Sequence, residues 1–262
     1  MIPLGESERR HQFLVEDEGG RHVSHPQIHV PKMVHGRDAT DFGGRHRAWH
    51  HTVVEPAVVE LGPDTLVEGR PFTDPERSDE DASVMRGMLA RLRAFARGWP
   101  DTQAGGDAVL VRRHDAAGLR TWIRIPGPGA LLAAGELTTV GFFGQARADV
   151  DHAPIHRLEE GIVDTLEEVP GVLSYFNLEL PDGRYGNLIL CGGADVPVRW
   201  REHELHRTAV ELAPSHYHSA RLHGGVVRSP LLGDADLIVR RTRYLDFDST
   251  PTWLAVRELH AR

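Results

Sequence analysis

Glu202 and His206 stand four residues apart, the spacing that puts two side chains one turn apart on a helix. On a helix over residues 198–213 they border the apolar stripe of Val198, Leu205, Ala209 and Leu212, while His203 points the other way. Ala209 and Ala213 are small and leave room beside His206, so its imidazole could hold a metal or take a proton from a substrate. An ordinary pair at the helix edge is the plain structural alternative. Residues 215–225 then bring His216, Tyr217, His218, Arg221 and His223 into what reads as a connecting loop after Pro214. The planar fork of Arg221 and the hydroxyl of Tyr217 suit a carboxylate, and His223 is a second candidate base. Such a loop could equally be a polar subunit contact. Tyr175, Asn177 and Asn187 offer neutral polar groups that can orient a substrate or serve as hydrogen-bonding residues at an interface.

Other chemistries fit poorly. No phosphate-cradling glycine loop, H-E-x-x-H or G-x-S-x-G occurs in a suitable setting. Seven histidines lie between His22 and His51, but Pro26 opposes a helix through His22 and His25, so zinc binding by His22, His25, His46, His50 and His51 has little support. A formal charge of −8 has the wrong sign for gripping phosphate backbones, so nucleic acid is not an expected partner. Cys191 is the one cysteine, which rules out an intramolecular disulfide and a four-thiolate site. The charged N-terminus and the lack of a long apolar run lead to an expectation of a cytoplasmic protein with no membrane partner.

The elements that must position these residues follow from periodicity. The first seventy residues are rich in breakers and read as an arm with short strands over 53–59 and 65–68. Met85, Met88, Leu92, Phe95 and Trp99 mark a helix capped by Ser78, with Asp79, Glu80 and Asp81 suiting its positive end. Strands over 108–113 and 119–125 form a hairpin, and Gly127-Pro128-Gly129 is the candidate boundary between regions 1–130 and 131–262. Thereafter come a strand over 137–146, a helix carrying Ile155, Leu158, Ile162, Leu166 and Val169, a hairpin over 173–191, the helix over 198–213 and a strand over 237–247. The expected class is therefore α+β: a ferredoxin-like β-α-β-β-α-β unit behind an arm, a helix and a hairpin, the latter two a candidate degenerate first copy. One face of its sheet, carrying Tyr175 and Asn177, has no helices of its own in this reading, which points to a homodimer or to internal packing against the first hairpin.

That order of elements, over residues 137–247, resembles the dimeric α+β barrel superfamily, with its antibiotic-biosynthesis monooxygenase-like proteins and haem-binding relatives of the chlorite-dismutase-like and haem-degrading groups. The resemblance implies a pocket between sheet and helices and oxidative chemistry on a small molecule. In the haem-dependent version His206 would hold iron and Arg221 a propionate. In a cofactor-free version, a monooxygenase or an isomerase or cyclase, His206 or His223 would be the base, and Tyr217 or Asn177 would face the oxyanion. Tyr175, Asn177, Asn187 and Glu202 would contact substrate. A metabolite-binding dimer without turnover is the non-enzymatic alternative.

Overall fold

The computed structural model describes residues 57–99 and 106–259. The histidine-rich tract, including His22, His25, His46, His50 and His51, lies outside them, as do residues 53–56 of the first expected strand. The chain runs β1 (Val58–Glu60), α1 (Pro75–Arg97), β2 (Val109–His114), β3 (Arg120–Ile125), α2 (Pro128–Ala133), β4 (Leu137–Ala146), α3 (Ala153–Asp164), β5 (Val172–Glu179) and β6 (Arg184–Cys191). It continues through α4 (Val196–Glu202), α5 (Glu204–His216), β7 (Tyr217–Val227), β8 (Leu237–Asp246) and β9 (Trp253–Glu258). Among the described residues nine strands form one sheet in the order β1-β9-β8-β7-β4-β6-β5-β3-β2. The protein is α+β, and β2 and β3 extend the same sheet beyond β5. Residues 65–68 form no strand; Val67 makes an isolated bridge to Arg70.

Within the sheet, β4-α3-β5-β6-α4/α5-β7 has the β-α-β-β-α-β order, with spatial order fourth, first, third, second. The fourth strand differs from the expected one. It is β7, the segment read above as a loop, while β8 is a further strand hydrogen-bonded outside it. The polar composition of residues 217–223 hid the alternation: Ser219, Arg221 and His223 are buried, and the polar groups of Arg221 and His223 find partners in the core.

The second helix also differs. It breaks at His203, whose ψ of 132° is extended, so α4 and α5 are separate helices and α5 runs through Pro214 to His216. The break takes Glu202, which is exposed, out of register with His206, and no hydrogen bond or ion pair joins the two.

Both faces of the central sheet are covered within the chain. Met85, Met88, Leu89 and Leu92 of α1 pack on Phe143, Phe176, Leu178, Leu188 and Leu190. On the other face Ile162, Val163 and Trp200, from α3 and α4, pack on Trp122, Tyr175 and Ile189. Tyr175 thus lies on the face that α3 and α4 cover, so the face expected to be bare carries these helices, and α1 covers the opposite one. The premise from which a homodimer was expected is therefore absent from this part of the sheet.

A buried ionic network fixes α1. Asp81, expected near a solvated helix start, has no exposed surface. It accepts from Arg221 Nε at 2.5 Å, His223 Nε2 at 3.0 Å and Arg184 Nη1 at 2.9 Å. His223 Nδ1 contacts Thr242 Oγ1 at 3.0 Å, and Ser78, inside the helix rather than capping it, meets the Tyr244 hydroxyl at 3.0 Å. The cap is Asp74, whose carboxylate accepts from the Glu76 amide.

Candidate functional site

The sheet face beneath α3 is unusually polar, and strand pairing shows why its residues meet. Trp122 lies opposite Asn177, Asn177 opposite Asn187, and Asn187 opposite Phe142, one row across four strands. In the next row on that face Glu179 lies opposite Tyr185 and Tyr185 opposite Gly144, with Arg120 donating from Nε to Glu179 at 2.6 Å. The row on the other side holds Arg124, Tyr175, Ile189 and Val140. Period-two alternation sends the intervening Ile123, Phe176, Leu178 and Leu188 to the α1 face.

α3 roofs these rows. His152, which precedes it, and His156, Glu159 and Val163 follow at spacings of four, three and four, one stripe of the helix. The C-terminal end of that stripe is apolar, while its first two turns bring three titratable groups onto the polar rows. His156 Nε2 lies 2.9 Å from the Tyr185 hydroxyl. His152 Nε2 donates to the Arg147 carbonyl at 2.7 Å, and His216 Nδ1 donates to the Leu212 carbonyl at 3.0 Å. Burial, with help from Arg120, lowers the basicity of His156, so its ring is neutral at neutral pH.

Tyr217 closes the end of this cluster, its ring 5.3 Å from Phe142 and 6.3 Å from Tyr185. It lies directly over Gly144, where a Cβ would come within 2.7 Å of the Tyr217 ring. Burial raises the Tyr217 hydroxyl above its usual range, so it is a neutral donor.

Glu159 is the group with the strongest chemical potential. The residue is half-buried, and desolvation of its carboxyl raises it from the ordinary 4.5 to about 7. Arg120 and the Tyr175 hydroxyl oppose that rise, and the charge of Glu179 adds to it. The Tyr175 hydroxyl donates to Glu159 Oε1 at 3.5 Å, Asn187 Nδ2 donates to the Tyr175 oxygen at 3.4 Å, and the Phe142 amide donates to Asn187 Oδ1 at 3.1 Å. Glu159 joins Arg120, Trp122, Asn177 and Glu179 around a cavity of about 10 Å³, room for about one water molecule.

Of the candidates read from sequence, the structure brings Tyr175, Asn177, Asn187 and Tyr217 together here. It does not bring the others. Arg221 and His223 are buried on the α1 face and bound to Asp81, so neither can serve as a propionate partner or as a base in this pocket. His206 lies tilted against Trp200, with ring centroids 5.2 Å apart, and burial lowers it to about 4. Its Nδ1 is buried without a partner, and Glu202 points to solvent. With His206 and Arg221 on opposite faces of the sheet, the residues do not fit a haem held between them. Among the described residues no group of three or more His, Cys, Asp or Glu is arranged to hold a metal ion, and no helix is long and apolar enough to cross a membrane.

Sequence reasoning missed Glu159, His156, Arg120 and Tyr185. The signal was present: His152, His156 and Glu159 fall on the stripe of Val163, where a solvated helix would place its apolar residues.

No family model matches the chain, and no curated protein matches it. Two solved structures are similar over parts of it. A protein of unknown function from Nitrosomonas europaea is 9% identical with a TM-score of 0.32, over 35% of this chain and 89% of its own. A monooxygenase-like protein from Listeria innocua is 12% identical with a TM-score of 0.26, over 48% of this chain and 78% of its own.

Proposed function

We propose that this chain is a small-molecule enzyme built on a ferredoxin-like unit, in which Glu159 takes or gives a proton in the pocket between the sheet and α3. The contrast between Asp81 and Glu159 supports this reading. Asp81 is surrounded by three basic side chains, as a structural carboxylate must be to stay charged inside a protein. Glu159 has no ion pair among the described residues; its bond is to a neutral hydroxyl, while nearby Arg120 is bonded to Glu179. A carboxyl held in that way is costly for the fold and suited to exchanging a proton near neutral pH.

The chemistry that fits is cofactor-free removal of a proton from an acidic carbon or a phenol. That step can begin an isomerisation, a cyclisation or an oxidation by dioxygen. Asn177, on the cavity wall, offers a neutral amide to an oxygen that gains charge. Because the cavity accommodates about a water, substrate entry calls for α3 to move relative to the sheet.

The test needs no named substrate. A metabolite extract in deuterated water is incubated with the protein and read by mass spectrometry for deuterium uptake or conversion. Glu159→Gln should lower the rate by about 100-fold or more, and Glu160→Gln, at an exposed neighbour, should leave it unchanged. Equal rates for Glu159→Gln and the unsubstituted protein overturn the proposal.

A further inference from the structure

We infer that Asn187 is a positioning residue, which fixes the direction of the Tyr175 hydroxyl proton so that it points at Glu159. The inference rests on Glu159 as the proton carrier proposed above. A carboxamide has one end that accepts and one that donates. A backbone N–H can only donate, so the Phe142 amide, 3.1 Å away, demands the Asn187 oxygen on its side. That leaves Nδ2 facing Tyr175, 3.4 Å from its oxygen, which must accept. The Tyr175 proton then needs another acceptor, and Glu159 Oε1 lies 3.5 Å away. Each bond in the series sets the direction of the next, and the first is anchored in the backbone of a central strand.

Two further observations fit this role. Tyr175 is buried, and burial together with the neighbouring Glu159 holds its hydroxyl well above the ordinary range, so it keeps its proton while Glu159 titrates. Neither Tyr175 nor Asn187 lines the cavity, whereas Glu159 and Asn177 do. Their effect on a reaction therefore passes through Glu159 rather than through contact with substrate. A donor aimed at the carboxyl favours its charged form and limits the rise that burial imposes.

The experiment is a double-mutant cycle on the full chain, read from the 13C carboxyl resonance of Glu159 through a pH titration. Asn187→Asp keeps an acceptor for the Phe142 amide but presents Tyr175 with a second acceptor, which turns its proton away from Glu159. The charge that this substitution adds is common to both arms of the cycle and cancels. Tyr175→Phe should raise the Glu159 midpoint by about one pH unit in the otherwise unchanged chain. In the Asn187→Asp background it should raise it by less than about a third of that. Equal displacements in the two backgrounds overturn the inference. If Asn187→Asp does not fold, the side-chain 15N–1H resonances of Asn187 in the unsubstituted protein decide: they should move with the Glu159 midpoint and cease to do so in Tyr175→Phe. Resonances that stay still through the titration overturn it. A Glu159 midpoint in the ordinary carboxylate range would sink the proposed function, while the cycle would still report which way the Tyr175 proton points.

Discussion

Replacing Glu159 by glutamine should stabilise the protein, and by an amount that depends on pH in a defined way. Burial lifts the Glu159 carboxyl from 4.5 to about 7 in the folded chain. Below about pH 4.5 the folded and unfolded chains both hold the proton, and the substitution is nearly neutral. Between 4.5 and 7 the unfolded chain ionises Glu159 while the folded chain does not, so the unsubstituted protein loses stability as pH rises. Above 7 both forms are ionised and the loss levels off. At about 1.4 kcal/mol for each pH unit the plateau is about 3 kcal/mol, a large part of the stability of an ordinary domain. Glutamine carries no charge at any pH and escapes this penalty. Urea denaturation of both proteins near pH 4.5, 6 and 8, with slopes compared to confirm a common transition, measures the difference. A gap that does not grow with pH, or an unsubstituted protein that is the more stable at pH 8, refutes the assignment of Glu159 as a buried, unpaired acid.

The other buried acid and the single thiol give predictions of opposite character. Asp81→Ala should cost about 3–5 kcal/mol in urea denaturation, because it leaves the buried Arg221 without its carboxylate; a cost under about 1 kcal/mol contradicts the network. Burial pushes the Asp81 carboxyl up, but bonds from His223 and Arg221 outweigh it and hold it below the usual range. Its contribution is therefore present at neutral pH and lost as pH falls through that depressed value, so the melting temperature of the unsubstituted protein should fall more steeply below about pH 4 than that of Asp81→Ala. Cys191 is buried and burial pushes its thiol up to about 12, so a thiol reagent at neutral pH should label it only along the urea unfolding curve; rapid labelling of the folded protein contradicts its placement.

Much of the fold could be read from the residues because it depends on periodicity. The apolar stripe of Ile155 and Ile162, the turn at Gly183, whose φ is 77°, and the alternation of Phe176 and Leu178 with Tyr175 and Asn177 appear in the structure as the pattern implies, although the helix ends at Asp164 and Leu166 lies in a separate 3-10 turn. Errors arose where polar residues occupy buried positions. Arg221 and His223 look like loop residues until Asp81, some 140 positions earlier in the chain, is known to meet them. The break at His203 has no glycine or proline to announce it, since Pro197 and Pro214 lie elsewhere. The site was half visible: Tyr175, Asn177, Asn187 and Tyr217 could be read as polar groups on strands or a loop, whereas Arg120, Tyr185, His156 and Glu159 acquire their meaning only from the packing of α3 on the sheet. No local signal distinguishes His206 against Trp200 from His156 against Tyr185. The difference lies in which element each helix covers.

A single irregularity in β7 separates the structural and chemical halves of the segment that seemed, in the sequence, to be one cluster. Ser219 pairs with Gln145 and Tyr217 with Ala146, so two steps on β7 match one on β4, and His218 is the extra residue of a β-bulge. In a regular strand Tyr217 and Arg221, four residues apart, would share a face. The bulge reverses the alternation between them. Tyr217 therefore turns toward Phe142 and Tyr185 under α3, while Arg221 and His223 turn toward Asp81 under α1. His218 itself stays exposed and meets Asp248 at 3.0 Å. Without the extra residue, Tyr217 would be directed at the ionic network and Gly144 would lose the ring that packs over it. The bulge thus lets one strand serve both faces: one end completes the chemical pocket, and the middle anchors the helix that covers the opposite side.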